Sequence, residues 1–261
     1  MKRTLLSAWA SVLILAAATP AALAGNTAAD IIRKTDIAEG YRSAYTEYDQ
    51  VITTSSGAKR TLGVRAWARE NGHRQLAEYL TPADIKGQKI LMTDDGDNIW
   101  MFNAETRRTR KLGSHMKKKK VMGSDFTYED QAGGTLSEKY TGIVVGNEAQ
   151  NGHACFVLEL IPTPKGPSYD KIRVWVSSSD FITRRVDYYQ NGDATPFKQL
   201  VSKNIRHVPC PKSEGCTTKA VAFNTVMTNL EDRTETINRI TRIRFGVEIP
   251  DPVFNPRQLN K

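Results

Sequence analysis

The sequence is poor in the residues that most often hold metals or attack substrates. Its 3 cysteines and 4 histidines are scattered over 261 residues. His73, His115, His153 and His207 stand far apart, and each neighbours a turn or a basic segment. They read as surface residues, so no metal site is expected. No Gly-x-Ser-x-Gly elbow and no glycine-rich phosphate loop occur. Asp94-Asp95-Gly96-Asp97-Asn98 begins like a calcium loop but lacks the twelve-residue spacing and the closing Glu. A hairpin turn explains it better. One acidic cluster lies near aromatics: Asp125, Glu129 and Asp130. Paired carboxylates serve acid–base chemistry, but Ser124 or Asp125 ahead of Glu129 also suits a helix start, and that second reading is favoured. Neither an enzyme nor a cofactor is expected.

Long apolar runs are also missing, apart from the first residues. Lys2 and Arg3 precede an apolar stretch from Leu5 to Ala18, Pro20 breaks it, and Ala22-Leu23-Ala24 is a small-x-small cleavage signature. The stretch is shorter than the roughly 20 predominantly apolar residues of a spanning helix. The expectation is a Sec-type signal peptide, residues 1–24, cut after Ala24. No Cys follows the cut, so the mature chain is expected in the periplasm without a lipid anchor. Removing Lys2 and Arg3 from a formal charge of +9 leaves +7 on the remaining 237 residues. That excess favours anionic surfaces such as phospholipid headgroups, and in this compartment nucleic acid is not an expected partner.

The rest of the chain has the texture of one antiparallel β domain, residues 25–261. A short helix over 27–38 is expected first, capped by Asn26 or Thr27 and with Ile31, Ile32 and Ile37 on its apolar side. Thirteen short strands follow, each bounded by turn signals: 45–54, 59–70, 74–80, 88–93, 98–103, 109–112, 138–146, 153–162, 171–177, 182–189, 197–207, 218–230 and 235–245. In the second, Leu62, Val64, Ala66 and Ala68 point one way, while Arg65, Trp67 and Arg69 point the other. Helical pieces are expected near 123–133 and over the tail from Pro250 to Leu259. Cys210 and Cys216 flank a short polar loop in an oxidising compartment, which predicts a disulfide, whereas Cys155 lies in an apolar run and reads as a buried thiol. A long antiparallel sheet must cover its apolar face. A curved sheet plugged by helices leaves room for a cavity; a filled β-sandwich is the alternative.

The segment Met122 to Asp130, MGSDFTYED, resembles the outer-membrane lipoprotein-sorting proteins, a branch of the LolA/LolB-like superfamily. Other stretches agree in order: Leu80-Thr81-Pro82 with Gly87 and Leu91, then Asn98-Ile99-Trp100-Met101-Phe102 with the basic stretch Arg107 to Leu112. Cys155, Pro162, Tyr169, Trp175 and Ile249-Pro250 to Leu259 follow. The chain departs from the family pattern at Asn103, where a Pro is usual, and in the run Lys117, Lys118, Lys119, Lys120. The resemblance implies an incomplete antiparallel β-barrel closed by helices over a hydrophobic cavity. It also implies a carrier of lipid or lipoprotein acyl chains that hands cargo between membranes or to a resistance-nodulation-division type exporter. A cargo-free accessory subunit docking on such an exporter is the alternative.

Strand alternation and aromatic placement nominate Trp67, Tyr79, Leu91, Trp100, Phe102, Phe126, Tyr128, Phe156, Leu158 and Trp175 as cavity wall; ordinary core packing serves each equally well. Arg107, Arg108, Arg110 and Lys117 to Lys120 are either a solvated face or a site for an anionic headgroup or membrane surface.

Overall fold

The computed structural model describes residues 26–261, so the expected signal segment lies outside them. The chain begins with helix α1, Ala28–Glu39. Thr27 caps it in a full capping box: the Thr27 side chain accepts from the Asp30 N–H while the Asp30 carboxylate reaches back to the Thr27 N–H. Of the two caps expected, the threonine serves; Ile31 and Ile32 are buried as expected, whereas Ile37, in the last turn, points to solvent.

All thirteen strands form, and they make one antiparallel sheet. They are β1 (Ser43–Thr53), β2 (Lys59–Arg69), β3 (Arg74–Thr81), β4 (Lys89–Thr93), β5 (Asn98–Asn103) and β6 (Arg108–Lys111). After them come β7 (Tyr140–Gln150), β8 (His153–Pro162), β9 (Lys171–Ser177), β10 (Thr183–Tyr189), β11 (Lys198–Pro209), β12 (Thr218–Asn229) and β13 (Thr234–Phe245). Two meanders, β1 to β6 and β7 to β13, join where β1 pairs with β13, with Tyr45 opposite Arg244 and Val51 opposite Ile237. β6 and β7 are the free edges, so the barrel is not closed. β7 starts at Tyr140, two residues later than its sequence suggests, because Glu138 and Lys139 finish a helical turn whose capping box uses Thr135 and Glu138.

Residues 112–139 connect the two edges and carry the other two α-helices, α2 (Tyr128–Gln131) and α3 (Leu136–Lys139). This connection forms a strap across one face. On the β1–β5 half, Val121 and Tyr128 of the strap pack with Leu62, Val64, Tyr79 and Met92. On the β8–β12 half, Ile31 and Ile32 of α1 pack with Phe126, Leu158, Val174 and Tyr188. The opposite face is covered by the C-terminal tail, where Ile249, Phe254 and Leu259 pack on Leu76, Leu91 and Phe102. That tail forms two 3-10 turns, Asp251–Phe254 and Pro256–Gln258. Cys210 and Cys216 are disulfide-bonded, and Cys155 is a buried free thiol. Among the described residues no helix is long and apolar enough to cross a membrane.

Candidate functional site

The strapped face contains a cavity of about 700 Å³, within the range of small-molecule and cofactor sites. Ile90 and Met92 of β4 and Ile172 and Val174 of β9 all line it. These strands lie eight steps apart in the sheet, roughly 40 Å in a flat one at about 4.8 Å per strand. The sheet must therefore curl to bring them round one space.

That space exists because the middle strands put small side chains on this face. Ala44 and Thr46 of β1, Ala66 and Ala68 of β2, and Ala77 of β3 form its floor. Larger apolar groups stand around them, including Tyr48, Phe126, Leu136, Tyr140, Leu200, Ile240 and Phe245. Polar groups also line it, among them Glu39, Gln75, Glu129, Asp130, Lys139 and Lys219. Lys219 is buried and its ammonium donates to the carbonyls of Ile37 and Ala38 at 3.4 and 3.0 Å, capping the C-terminus of α1. Lys139 donates to the Ala132 carbonyl at 2.5 Å. Burial lowers the pKa of both lysines. Burial pushes the Tyr41 and Tyr48 phenols, also on the wall, up to about 12. Because these groups ionise later in the folded chain, stability holds below pH 10 and falls as pH rises from 10 toward 12. Urea midpoints recorded from pH 8 to 12 will show that fall, with a shallower slope in Tyr48→Phe.

The strap is tied down residue by residue through MGSDFTYED. The Asp125 carboxylate is buried and accepts from Thr236 Oγ1 (2.8 Å), Thr234 Oγ1 (2.5 Å) and Lys120 Nζ (3.0 Å), while its own N–H donates to Thr236 Oγ1 (2.9 Å). This fixes the strap to β13. Phe126 turns into the cavity and Tyr128 into the neighbouring core. Thr127, not Ser124 or Asp125, caps α2, in a capping box with Asp130; the two earlier residues are already buried against β13 or their own turn. The Glu129 carboxylate accepts from the Ser168 N–H (3.1 Å) and hydroxyl (2.9 Å) in the β8–β9 loop.

Asp130 makes the strongest tie. Its carboxylate accepts from Lys198 Nζ (2.6 Å), Tyr169 OH (2.7 Å) and the Thr127 N–H (2.7 Å). The Lys198 ammonium also donates to Tyr169 OH (2.6 Å) and lies 4.7 Å from the ring centre of Tyr188. Burial and the adjacent carboxylate push the Tyr169 phenol far above its usual range, so it stays protonated and donates.

Glycine allows the strap to sit this close. A Cβ on Gly133 would lie 2.0 Å from the Gly72 carbonyl, a contact between two backbones that no side-chain movement relieves. Gly133→Ala should therefore cost about 2–3 kcal/mol by overpacking. Gly146→Ala, where an added Cβ meets nothing within 4 Å, should leave the thermal midpoint unchanged. Equal melting of the two variants would show that the strap is loosely held.

Of the ten nominated wall residues, Phe126 lines the cavity. Leu91, Phe102 and their neighbours Trp67 and Trp100 face the C-terminal tail on the other side. Strand parity places them there: Trp67 alternates with the floor alanines of β2. Trp175 shares that outer side with Cys155 and Val157, and its indole N–H donates to Glu148 at 2.8 Å. Tyr79 and Tyr128 are packed in the core cluster beneath the strap, and Leu158 and Phe156 in the one beneath α1. Sequence reasoning missed Lys198 and the alanine floor. The basic residues are also divided in role. Lys120 pairs with Asp125 and Asp232, Lys117 with Asp97, and Arg107 donates to the Asn260 carbonyl. Arg108, Arg110, Lys118 and Lys119 stand exposed. Among the described residues no group of three or more His, Cys, Asp or Glu side chains is placed to hold a metal.

Three solved structures share this architecture. A domain from Vibrio parahaemolyticus described as outer membrane lipoprotein-sorting superposes with a TM-score of 0.77 at 22% identity, covering 88% of this chain and 96% of that one. A DUF1329 family protein from Desulfovibrio piger gives 0.77 at 20%, with the same coverage. A LolA superfamily protein from Nitrosomonas europaea gives 0.71 at 18%, covering 88% and 98%. No curated protein matches the chain. A family model, described as that of an uncharacterized protein, matches residues 71–261. The chain belongs to that family, and its fold is that of the outer membrane lipoprotein-sorting, LolA-like domains.

Proposed function

We propose that the chain is a periplasmic carrier that holds an acyl chain, of a lipid or a lipoprotein, in the cavity under the strap and releases it without covalent chemistry. One observation carries this reading: a cavity of about 700 Å³ floored by alanines, where a filled core would place larger side chains. Burial of an acyl chain contributes about 0.8 kcal/mol per methylene, so apolar volume alone supplies affinity. The tripartite cover of α1, α2 and α3 supplies the part that must move for cargo to enter. The fold's occurrence in proteins described as lipoprotein-sorting agrees with the reading. The one free thiol, Cys155, has its pKa raised by burial, which keeps it from acting as a nucleophile. Exposed Arg108, Arg110, Lys118 and Lys119 supply a transient contact with an anionic membrane.

The test is native mass spectrometry of mature protein taken from the periplasm, with lipid analysis of what it releases. The expected result is a discrete adduct whose mass matches a lipid or an acylated peptide. Protein that is repeatedly empty and also fails to bind fluorescent fatty acids would overturn the carrier reading.

A further inference from the structure

The sheet is not paired along its whole length. β12 and β13 are in register from Asn224 opposite Arg239 to Asn229 opposite Thr234, and no pair joins them beyond Asn224. Both strands run on. β12 stays paired with β11 as far as Thr218 opposite Pro209, and β13 stays paired with β1 as far as Phe245 opposite Ala44. A slit therefore opens between residues 218–223 of β12 and 240–245 of β13. Two irregularities at the same level explain the parting. Thr241 is an extra residue of β13, between Ile240 opposite Tyr48 and Arg242 opposite Glu47, and such a bulge bends its strand and increases the twist. On β11, Asn204 takes a φ of 54° and drops out of the ladder to β12. The far end of the slit is closed by the disulfide-bonded loop between β11 and β12. The Glu214 carboxylate accepts from the Arg42 N–H at 2.6 Å and the Ser43 N–H at 3.0 Å, so the loop reaches past the end of β13 to the start of β1. The slit is a bounded window in the wall.

The cavity reaches this window. Lys219, Ala220, Val221 and Ala222 all line it. A strand that shows one face to a space lines it with every second residue, so a run of four requires the edge of β12 to be turned toward the cavity. Ile240, Ile243 and Phe245 line it from the facing lip. We propose that this slit is the door by which an acyl chain enters and leaves the cavity, sliding sideways between β12 and β13. A chain of methylenes loses nothing between apolar lips, whereas a polar head would lose its water there, so the head stays outside. Lys219 joins the door to the cover, because its ammonium holds the Ile37 and Ala38 carbonyls at the end of α1; movement of α1 moves the β12 lip. This inference rests on the carrier reading and adds the route to it.

Two measurements on the mature, delipidated chain test it. Amide hydrogen exchange reads the slit itself. Alternate amides of residues 219–223, having no partner on β13, should exchange at least about tenfold faster than those of residues 225–229. Equal protection of the two stretches would mean that the strands zip together, and would overturn the proposal. Suturing reads the route. In the register continued from Asn224 opposite Arg239, Ala222 faces Thr241. The double variant Ala222→Cys with Thr241→Cys is to be joined by a short bismaleimide; Cys155 is buried and Cys210 is bonded to Cys216, which leaves the reagent the new pair. The joined protein should bind and release a fluorescent fatty acid at least about tenfold more slowly than the same variant left unjoined. Its dissociation constant should not change, because the cavity does not. Unchanged rates in the joined protein, with sound binding, would overturn the door alone and return entry to the strap. A wild-type chain that binds no fatty acid would overturn the carrier reading and the door with it.

Discussion

Replacing Lys198 by methionine should lower the unfolding free energy by about 3–5 kcal/mol, the usual cost of leaving one partner of a buried ion pair alone. The Lys198 and Asp130 side chains are each 2% exposed and their charged atoms lie 2.6 Å apart. Methionine fills similar space but withdraws the one cation that, among the described residues, touches the Asp130 carboxylate, leaving it with the neutral donors Tyr169 OH and Thr127 N–H. For a chain of this size the thermal midpoint should fall by about 6–20 °C. The double variant Lys198→Met with Asp130→Asn should recover part of that loss, because no uncompensated charge remains and the amide oxygen still accepts from Thr127. Urea denaturation of the two single variants and the double one measures the coupling. A loss below about 1 kcal/mol for Lys198→Met would mean that water reaches the pair and that the strap is held by its other ties.

This pair also shows where sequence reading runs out. Strand positions were legible because alternation and turn residues are local signals: Asn71-Gly72, Asp94 to Asp97 and Asn191-Gly192 mark turns wherever they occur. The choice of Thr27 as the cap of α1, and the helical turn that takes Glu138 and Lys139 from β7, depend on side chains three positions apart. Those are near the limit of what composition reveals. Lys198 gives no local sign of its role, since its partner lies 68 positions earlier and a lysine at a strand start reads as a solvated residue. The strap signature itself was conspicuous, but its meaning was not. Ser124 and Asp125 fit a helix cap in sequence, and the geometry instead gives Asp125 to two threonines on β13.

The cavity was hidden for a different reason. Large aromatics attract attention as candidate wall, yet in a curled sheet they fill the core or the outer face, and the empty volume lies where side chains are small. The usable signal was the alternation Ala66-x-Ala68 on the same side as Leu62 and Val64, with Ala44 and Ala77 beside it on the neighbouring strands. Small residues at inward positions of several adjacent strands mark unfilled space, because a packed interior leaves few voids larger than a water molecule.

The second large effect follows from that floor. Ala66→Phe and Ala68→Phe should each project a ring into the cavity from its base. A ring that displaces four methylenes of a bound chain removes about 3 kcal/mol of burial, a loss of about two hundredfold in affinity. Stability should change little, since the ring enters space that no side chain occupies, and filling a cavity commonly offsets the strain of a larger residue. Trp67→Phe, on the outer face of the same strand, is the control, and its affinity should match that of the wild type. Titration of each purified variant with a fluorescent fatty acid, alongside a thermal melt, separates the outcomes. Lost affinity with an intact melt at positions 66 and 68, and neither change at 67, places the acyl chain on the alanine floor. Wild-type affinity in both floor variants would show that the cavity is not where the chain lies, and would direct the search for the binding surface to the outer face.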